Sequence, residues 1–136
     1  MGSATPARQV PLSPQQLRAV EDLAKGHGWR LVVLFGSLAE QGEGGGADLA
    51  VLPSIEPDLF LEGQWTRELE GALAPCPADL LVLTLRTSPL TRFEVFRAGL
   101  PLYEAEAGLF DRERDRAFFL YADSAQFRQA IRESLH

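Results

Sequence analysis

The chain has 136 residues, 46% of them apolar, which is enough for one hydrophobic core and argues against wholesale disorder. No apolar run approaches the roughly 18 residues that cross a bilayer. No apolar h-region follows the first residues, so a cytoplasmic protein without a membrane span is expected. Thirteen basic against nineteen acidic side chains give a formal charge of −6, which opposes a nucleic-acid groove built on phosphate neutralisation. A small nucleotide carried in with its own metal ion remains compatible with that charge. Cys76 is the single cysteine, so an intrachain disulfide and a thiolate metal cluster are both excluded.

Residues 1–12, rich in proline and small side chains, are expected to form a flexible tail, and residues 13–136 a single domain. The segment SPQQLRAVEDLAKGHG predicts a helix. Ser13 is its N-cap, Pro14 sits in the first turn, Gln16 completes a capping box, and Gly26 or Gly28 ends it. Leu17, Val20 and Leu23 or Ala24 recur at helical spacing. Arg30 to Phe35, short and branched, predicts a buried strand, and Asp48 to Leu52 a second one that Pro53 stops. The glycine-rich connection between them is too short for a crossover helix, so these two strands are expected to pair antiparallel.

Between Pro57 and Pro75 a helix is expected, with Leu61, Trp65, Leu69 and Leu73 on its apolar stripe. Asp79 to Leu85 predicts a third strand. Ser88 and Pro89 repeat the cap-plus-proline signal before a short helix containing Phe93, Phe96 and Ala98. LPLYEA fits a brief edge strand or a turn. From Phe110 to about Glu133 the pattern predicts a long helix, with Phe118, Tyr121, Ala122, Ala125 and Ile131 available to an apolar face. Helices alternating with short strands define an α/β class, a small sheet flanked by helices and closed by a C-terminal helix.

The loop in LFGSLAEQGEGGGADLAVL carries the chemistry. Gly42, Gly44 and Ala47 formally fit a dinucleotide fingerprint, but that motif must open a helix and here an apolar strand follows. A mononucleotide P-loop needs a lysine, and the only one, Lys25, precedes the first strand. The remaining reading begins with Gly36 and Ser37 at a strand end. Glycine permits close approach of a phosphate to the backbone, the serine hydroxyl can donate to it, and a helical turn over Leu38 to Gln41 adds free N–H groups. Asp48 and Asp79 each begin a strand, and hard carboxylate oxygens converging at one sheet edge suit Mg²⁺. The plainer alternative is a turn, with both aspartates capping strand ends.

The order of Gly-Ser, glycine-bearing loop, acidic strand start and distant acidic strand start resembles the nucleotidyltransferase superfamily of DNA polymerase beta. It is most similar to the minimal nucleotidyltransferase branch that is often paired with a HEPN-domain partner. Family members carry G-S-x-A-x-G, an acidic D-x-D on the next strand, and a third Asp. Gly36, Ser37 and Ala39 fit the opening, Asp48 the first Asp by spacing, and Asp79 the third. The resemblance spans nearly everything after Ser13, including SPLTRFEVFRAGLPLYEAEAGLFDRERDRAFFLYADSAQFRQ. It implies a nucleotidyltransferase-like small mixed sheet, with Gly36 and Ser37 binding nucleotide and Asp48 and Asp79 as catalytic metal ligands. It further implies ATP as substrate or ligand, Mg²⁺ as cofactor, and a HEPN partner or a homodimer as the assembly. The implied antitoxin-like activity is transfer of AMP from ATP to a partner protein hydroxyl.

One carboxylate of D-x-D is missing. Either Ala50 stands in the second slot, or Asp48 holds that slot and Gly46 stands in the first. The loss of a metal ligand implies activity that is weakened or lost, and the alternative is an inactive binding module that neutralises its partner by occlusion. Glu40 or Glu43 could reach inward to compensate. His27 fits a helix end better than a catalytic base, Trp65 fits core packing, and Trp29 could cover the first strand. Asp111 to Arg116 fit a solvated, ion-pair-rich helix face, and Arg92 and Arg97 are secondary candidates for phosphate contact.

Overall fold

A computed structural model describes residues 10–135. Helix α1 (Pro14–His27) starts on Ser13, whose side chain accepts from the Gln16 backbone while the Gln16 side chain accepts from the Ser13 N–H. It ends at Gly28 in the left-handed conformation, φ 69°. Strand β1 (Leu31–Phe35) runs into the short helix α2 (Ser37–Gln41), and the glycine-rich loop returns the chain to β2 (Ala47–Leu52). Helix α3 (Leu59–Leu73), capped by Asp58, is followed by β3 (Ala78–Val82). Helix α4 (Pro89–Arg97), capped by Ser88, is followed by β4 (Leu100–Glu104) and the 26-residue α5 (Leu109–Ser134).

The sheet order is β3-β2-β1-β4. β1 pairs antiparallel with both β2 and β4, as expected for β2, and β2 pairs parallel with β3. LPLYEA is thus an edge strand rather than a turn. The third strand starts one residue earlier than expected and ends three sooner, because after Leu83 the chain turns on Thr84 and Thr87.

Strand alternation divides the apolar side chains between the two faces. Val32, Leu34, Leu49 and Val51 pack against Val20 and Ala24 of α1 and Trp65, Leu69 and Leu73 of α3. Leu31, Val33, Ala50 and Leu83 pack against Val95 and Phe96 of α4 and Leu109, Phe110 and Ala117 of α5. The result is a three-layer α/β sandwich. Residues 1–9 of the expected tail lie outside the described residues, while Val10 and Leu12 pack partly against the first face.

The apolar face of α5 differs from expectation. Ala117, not Phe118, meets the core; Phe118 is 38% and Ile131 45% exposed, and Ala122 is exposed. Tyr121 stacks on Phe93 with ring centroids 4.3 Å apart. The helix is about 39 Å long at 1.5 Å per residue, so its second half overshoots a sheet of five- and six-residue strands. In α4 likewise Val95 and Phe96 face the sheet, Phe93 turns toward α5, and Ala98 is the C-cap.

Candidate functional site

The site is built where β1 ends. Gly36 has φ 80° and ψ −162°, a conformation open essentially to glycine alone, and it leads directly into α2. Leu38 and Ala39 anchor that helical turn in the core, while Ser37 at its start stays exposed. The Glu40 N–H donates to the Gly36 carbonyl, 3.0 Å, closing the turn. A Cβ on Gly36 would lie 2.5 Å from Asp48 Oδ2. The Asp48 carboxylate therefore occupies the space that glycine leaves free.

Phe35 and Asp48 are register partners across β1 and β2, and Asp48 and Asp79 across β2 and β3. Neighbouring strands lie about 4.8 Å apart and residues in one register point to the same face, so the two aspartates stand side by side. The Ala47 N–H donates to the Pro77 carbonyl, 2.8 Å, aligning the two strand starts. Burial, and secondarily the adjacent Asp79 carboxylate, raise the Asp48 pKa above its ordinary value. A half-buried carboxylate repelled by its neighbour is an arrangement that a hard cation would relieve.

The glycine loop contributes more than flexibility. A Cβ on Gly44 would come within 2.7 Å of Ser37 Oγ, so the loop backbone folds closely over the serine. In the sequence Gly44 fits the dinucleotide pattern alone; its contact with Ser37 depends on the closed loop. That pattern itself leads into β2, not a helix, which removes the dinucleotide reading.

The two positions that could hold the missing carboxylate differ in burial. Ala50 shares the face of Asp48 but has 0% exposure and packs in the cluster that includes Val33, Leu83, Val95 and Phe96. A ligand to a solvated ion cannot operate there. Gly46, two residues before Asp48, is only partly buried and lies at the open strand start. The compensating acids do not assemble either. Glu40 pairs with Arg97, 3.1 Å, and among the described residues no group of three or more His, Cys, Asp or Glu could hold a metal. Two carboxylates fit a single cation whose other ligands come from a bound phosphate and water, and do not fit a two-ion centre built on three carboxylates.

The secondary candidates are engaged by protein groups. Arg97 is held by Glu40 on α2. Arg92 stands at the other end of α4, where it donates to the Thr84 carbonyl, so it cannot meet a phosphate beside Gly36. His27 ends α1 with Nε2 2.6 Å from Glu68 Oε1 and stacks on Trp29, whose ring meets that of Trp65 edge-on at 5.2 Å. Both tryptophans are buried, so they are core residues and offer no nucleobase platform.

The four-stranded mixed sheet flanked by helices is a fold that this chain shares with solved toxin–antitoxin structures. A chain of a mutant toxin–antitoxin MntA–HpeT structure superposes with a TM-score of 0.71 at 21% identity, covering 88% of this chain and 97% of that one. A chain of a toxin–antitoxin structure with AMP-PNP gives 0.72 at 21% identity, with the same two coverages, 88% and 97%. A chain from the complex of tri-AMPylated Shewanella oneidensis HEPN toxin with MNT antitoxin gives 0.68 at 21% identity, over 88% and 95%. At these identities the likeness is one of fold. No protein-family model and no curated protein matches the sequence.

Proposed function

We propose that this chain is an antitoxin-like nucleotidyltransferase-domain protein that binds ATP at the Gly36–Asp48–Asp79 rim and acts on a HEPN-type partner in the cytoplasm. The observation that carries the reading is the convergence of three elements at one end of the sheet: the glycine turn at Gly36, against which the Asp48 carboxylate lies, and the two strand-start carboxylates in register. It is supported by the shared fold with toxin–antitoxin complexes, one with AMP-PNP and one with an AMPylated HEPN toxin.

In this reading the α2 N-terminus and Ser37 receive the phosphates. Asp48 and Asp79 hold Mg²⁺, which when bound supplies charge neutralisation on the phosphoryl oxygens. An acceptor hydroxyl of the partner attacks the α-phosphorus, the bond to the bridging oxygen breaks, pyrophosphate leaves, and the hydroxyl proton passes to solvent. Asp48 and Asp79 orient the nucleotide for in-line attack, and with only two carboxylates the transfer is slow. The pair, with no group of three or more ligating side chains among the described residues, also favours a second reading: the domain neutralises its partner by occlusion alone.

Purified complex, ATP and Mg²⁺ distinguish these readings by intact-mass measurement of the partner together with calorimetric titration of ATP. Transfer predicts a mass gain of adenylyl groups, abolished in Asp48→Asn and Asp79→Asn. Occlusion predicts a stable complex with no mass gain and no effect of either variant. Absence of Mg²⁺-dependent ATP binding by the intact protein would end the nucleotide assignment.

A further inference from the structure

At the opposite end of the sheet, beyond Leu52 of β2 and Leu83, lies a cleft of about 350 Å³ that the reading above does not use. Leu52 is four residues along β2 from Asp48, about 13 Å at the rise of an extended strand. Three guanidinium groups line this cleft, those of Arg30, Arg92 and Arg116, in a chain whose formal charge is −6. They come from three separated places: the residue before β1, the first turns of α4, and α5.

The ion pairing around the cleft is unequal. Arg92 is paired with Glu113 at 4.0 Å, both side chains largely buried. Glu56, the other acid of the cleft, is taken by Arg86. Arg30 reaches Glu106 only at 3.9 Å, and that carboxylate already accepts from Arg112 at 2.9 Å. Arg116 makes no ion pair or hydrogen bond among the described residues, and its charge acts on Arg92. Burial lowers the Arg92 pKa from its ordinary value, Glu113 works in the opposite direction, and Arg116 adds to the lowering. Arg116 is thus left without a counter-charge among the described residues, and Arg30 with one that it shares with Arg112, beside a third guanidinium that is partly desolvated.

We infer that this cleft binds the phosphate of a small phosphorylated molecule, with Arg30 and Arg116 clamping the dianion and Arg92 and Glu113 fixing the floor. An excess of two positive charges matches the roughly two negative charges of a phosphate monoester, and guanidinium groups bind phosphate oxygens in a fixed fork geometry. The rest of the molecule lies along the apolar wall of Leu52, Pro53, Leu83 and Leu85, continuous through Arg116 with a smaller hollow at Leu120. The assignment is independent of the nucleotide reading at Asp48.

The test uses the full chain in EDTA at low salt, where the Asp48–Asp79 rim carries no metal and repels anions. Inorganic phosphate, AMP and adenosine are titrated separately and followed by calorimetry and by the arginine side-chain N–H signals in nuclear magnetic resonance. Phosphate and AMP are expected to bind and to move the signals of Arg30, Arg92 and Arg116, and adenosine is expected to do neither. Arg116→Gln, at an exposed position, is expected to weaken AMP binding about tenfold or more, the loss of one charge-assisted contact. Arg30→Gln serves as an independent second variant, and Asp48→Asn retains the binding. No phosphate binding, shifts confined to the Gly36–Asp48 end, or unchanged affinity in both arginine variants would overturn the assignment.

Discussion

A side chain at position 36 would enter the space that Asp48 fills, and the backbone angles there exclude other residues independently. Gly36→Ala should therefore destabilise the protein by about 1–3 kcal/mol and displace the Asp48 carboxylate; denaturant melts and ATP titration check both effects. Asp48 itself trades stability against function. Its folded pKa is raised, so its contribution to stability is full below the ordinary carboxylate value of 3.8 and declines as pH rises through the folded pKa. Asp48→Asn should raise the melting temperature of the metal-free protein at neutral pH, converge with the parent in acid, and lose Mg²⁺-dependent ATP binding. Ala50 and Gly46 offer a further contrast. Ala50→Asp places a charge in a dry core and should cost about 3–5 kcal/mol or unfold the chain. A Cβ on Gly46 would lie 3.0 Å from the Pro77 carbonyl oxygen and 3.3 Å from the Pro77 Cβ, crowding at a partly exposed strand start, so Gly46→Asp should cost less than Ala50→Asp; comparative urea unfolding separates them.

The elements differ in how far local chemistry explains them. Ser13, Pro14 and Gln16 define the start of α1, Asp58 that of α3, and Ser88 and Pro89 that of α4, each through hydrogen bonds within four residues. Such signals are legible because they need no distant partner. Helix α5 shows the limit. Its sequence offers Phe118, Tyr121 and Ile131 as an apolar face, yet among the described side chains Leu109, Phe110 and Ala117 are the ones buried in the core. Which residues of an amphipathic helix are buried depends on where the sheet ends, and that is a long-range fact. The last turns, Arg128 to Leu135, are exposed throughout. Removing residues 129–136 should leave stability within about 0.5 kcal/mol of the parent, readable in a thermal melt; a large loss would mean that these turns pack against something in solution.

Across the whole molecule the sheet separates two chemistries. Carboxylates stand at the starts of β2 and β3, and guanidinium groups gather beyond their far ends. Three arginines in a cleft cannot offset a charge of −6 against a polyanion, because duplex binding needs many phosphate contacts. The protein should show no retention of duplex DNA at physiological salt in a gel-shift titration; salt-resistant binding would contradict this charge argument. The run Asp111 to Arg116, expected as a solvated ion-pair face, is one in part. Arg112 and Arg114 pair at the surface, while Glu113 and Arg116 turn into the cleft with Arg92.

The amino-acid sequence by itself determined the order of helices and of the first three strands, the antiparallel pairing of β1 with β2, and the Gly36–Ser37 turn, and left β4 open as a strand or a turn. These follow from caps, periodicity and loop length, which act between near neighbours along the chain. Only the tertiary structure decided that Asp48 and Asp79 share one register, that Ala50 is sealed from any ion, and that Arg30, Arg92 and Arg116 meet. Each of those depends on residues that are distant in sequence and are brought together by the packing of helices on both faces of the sheet.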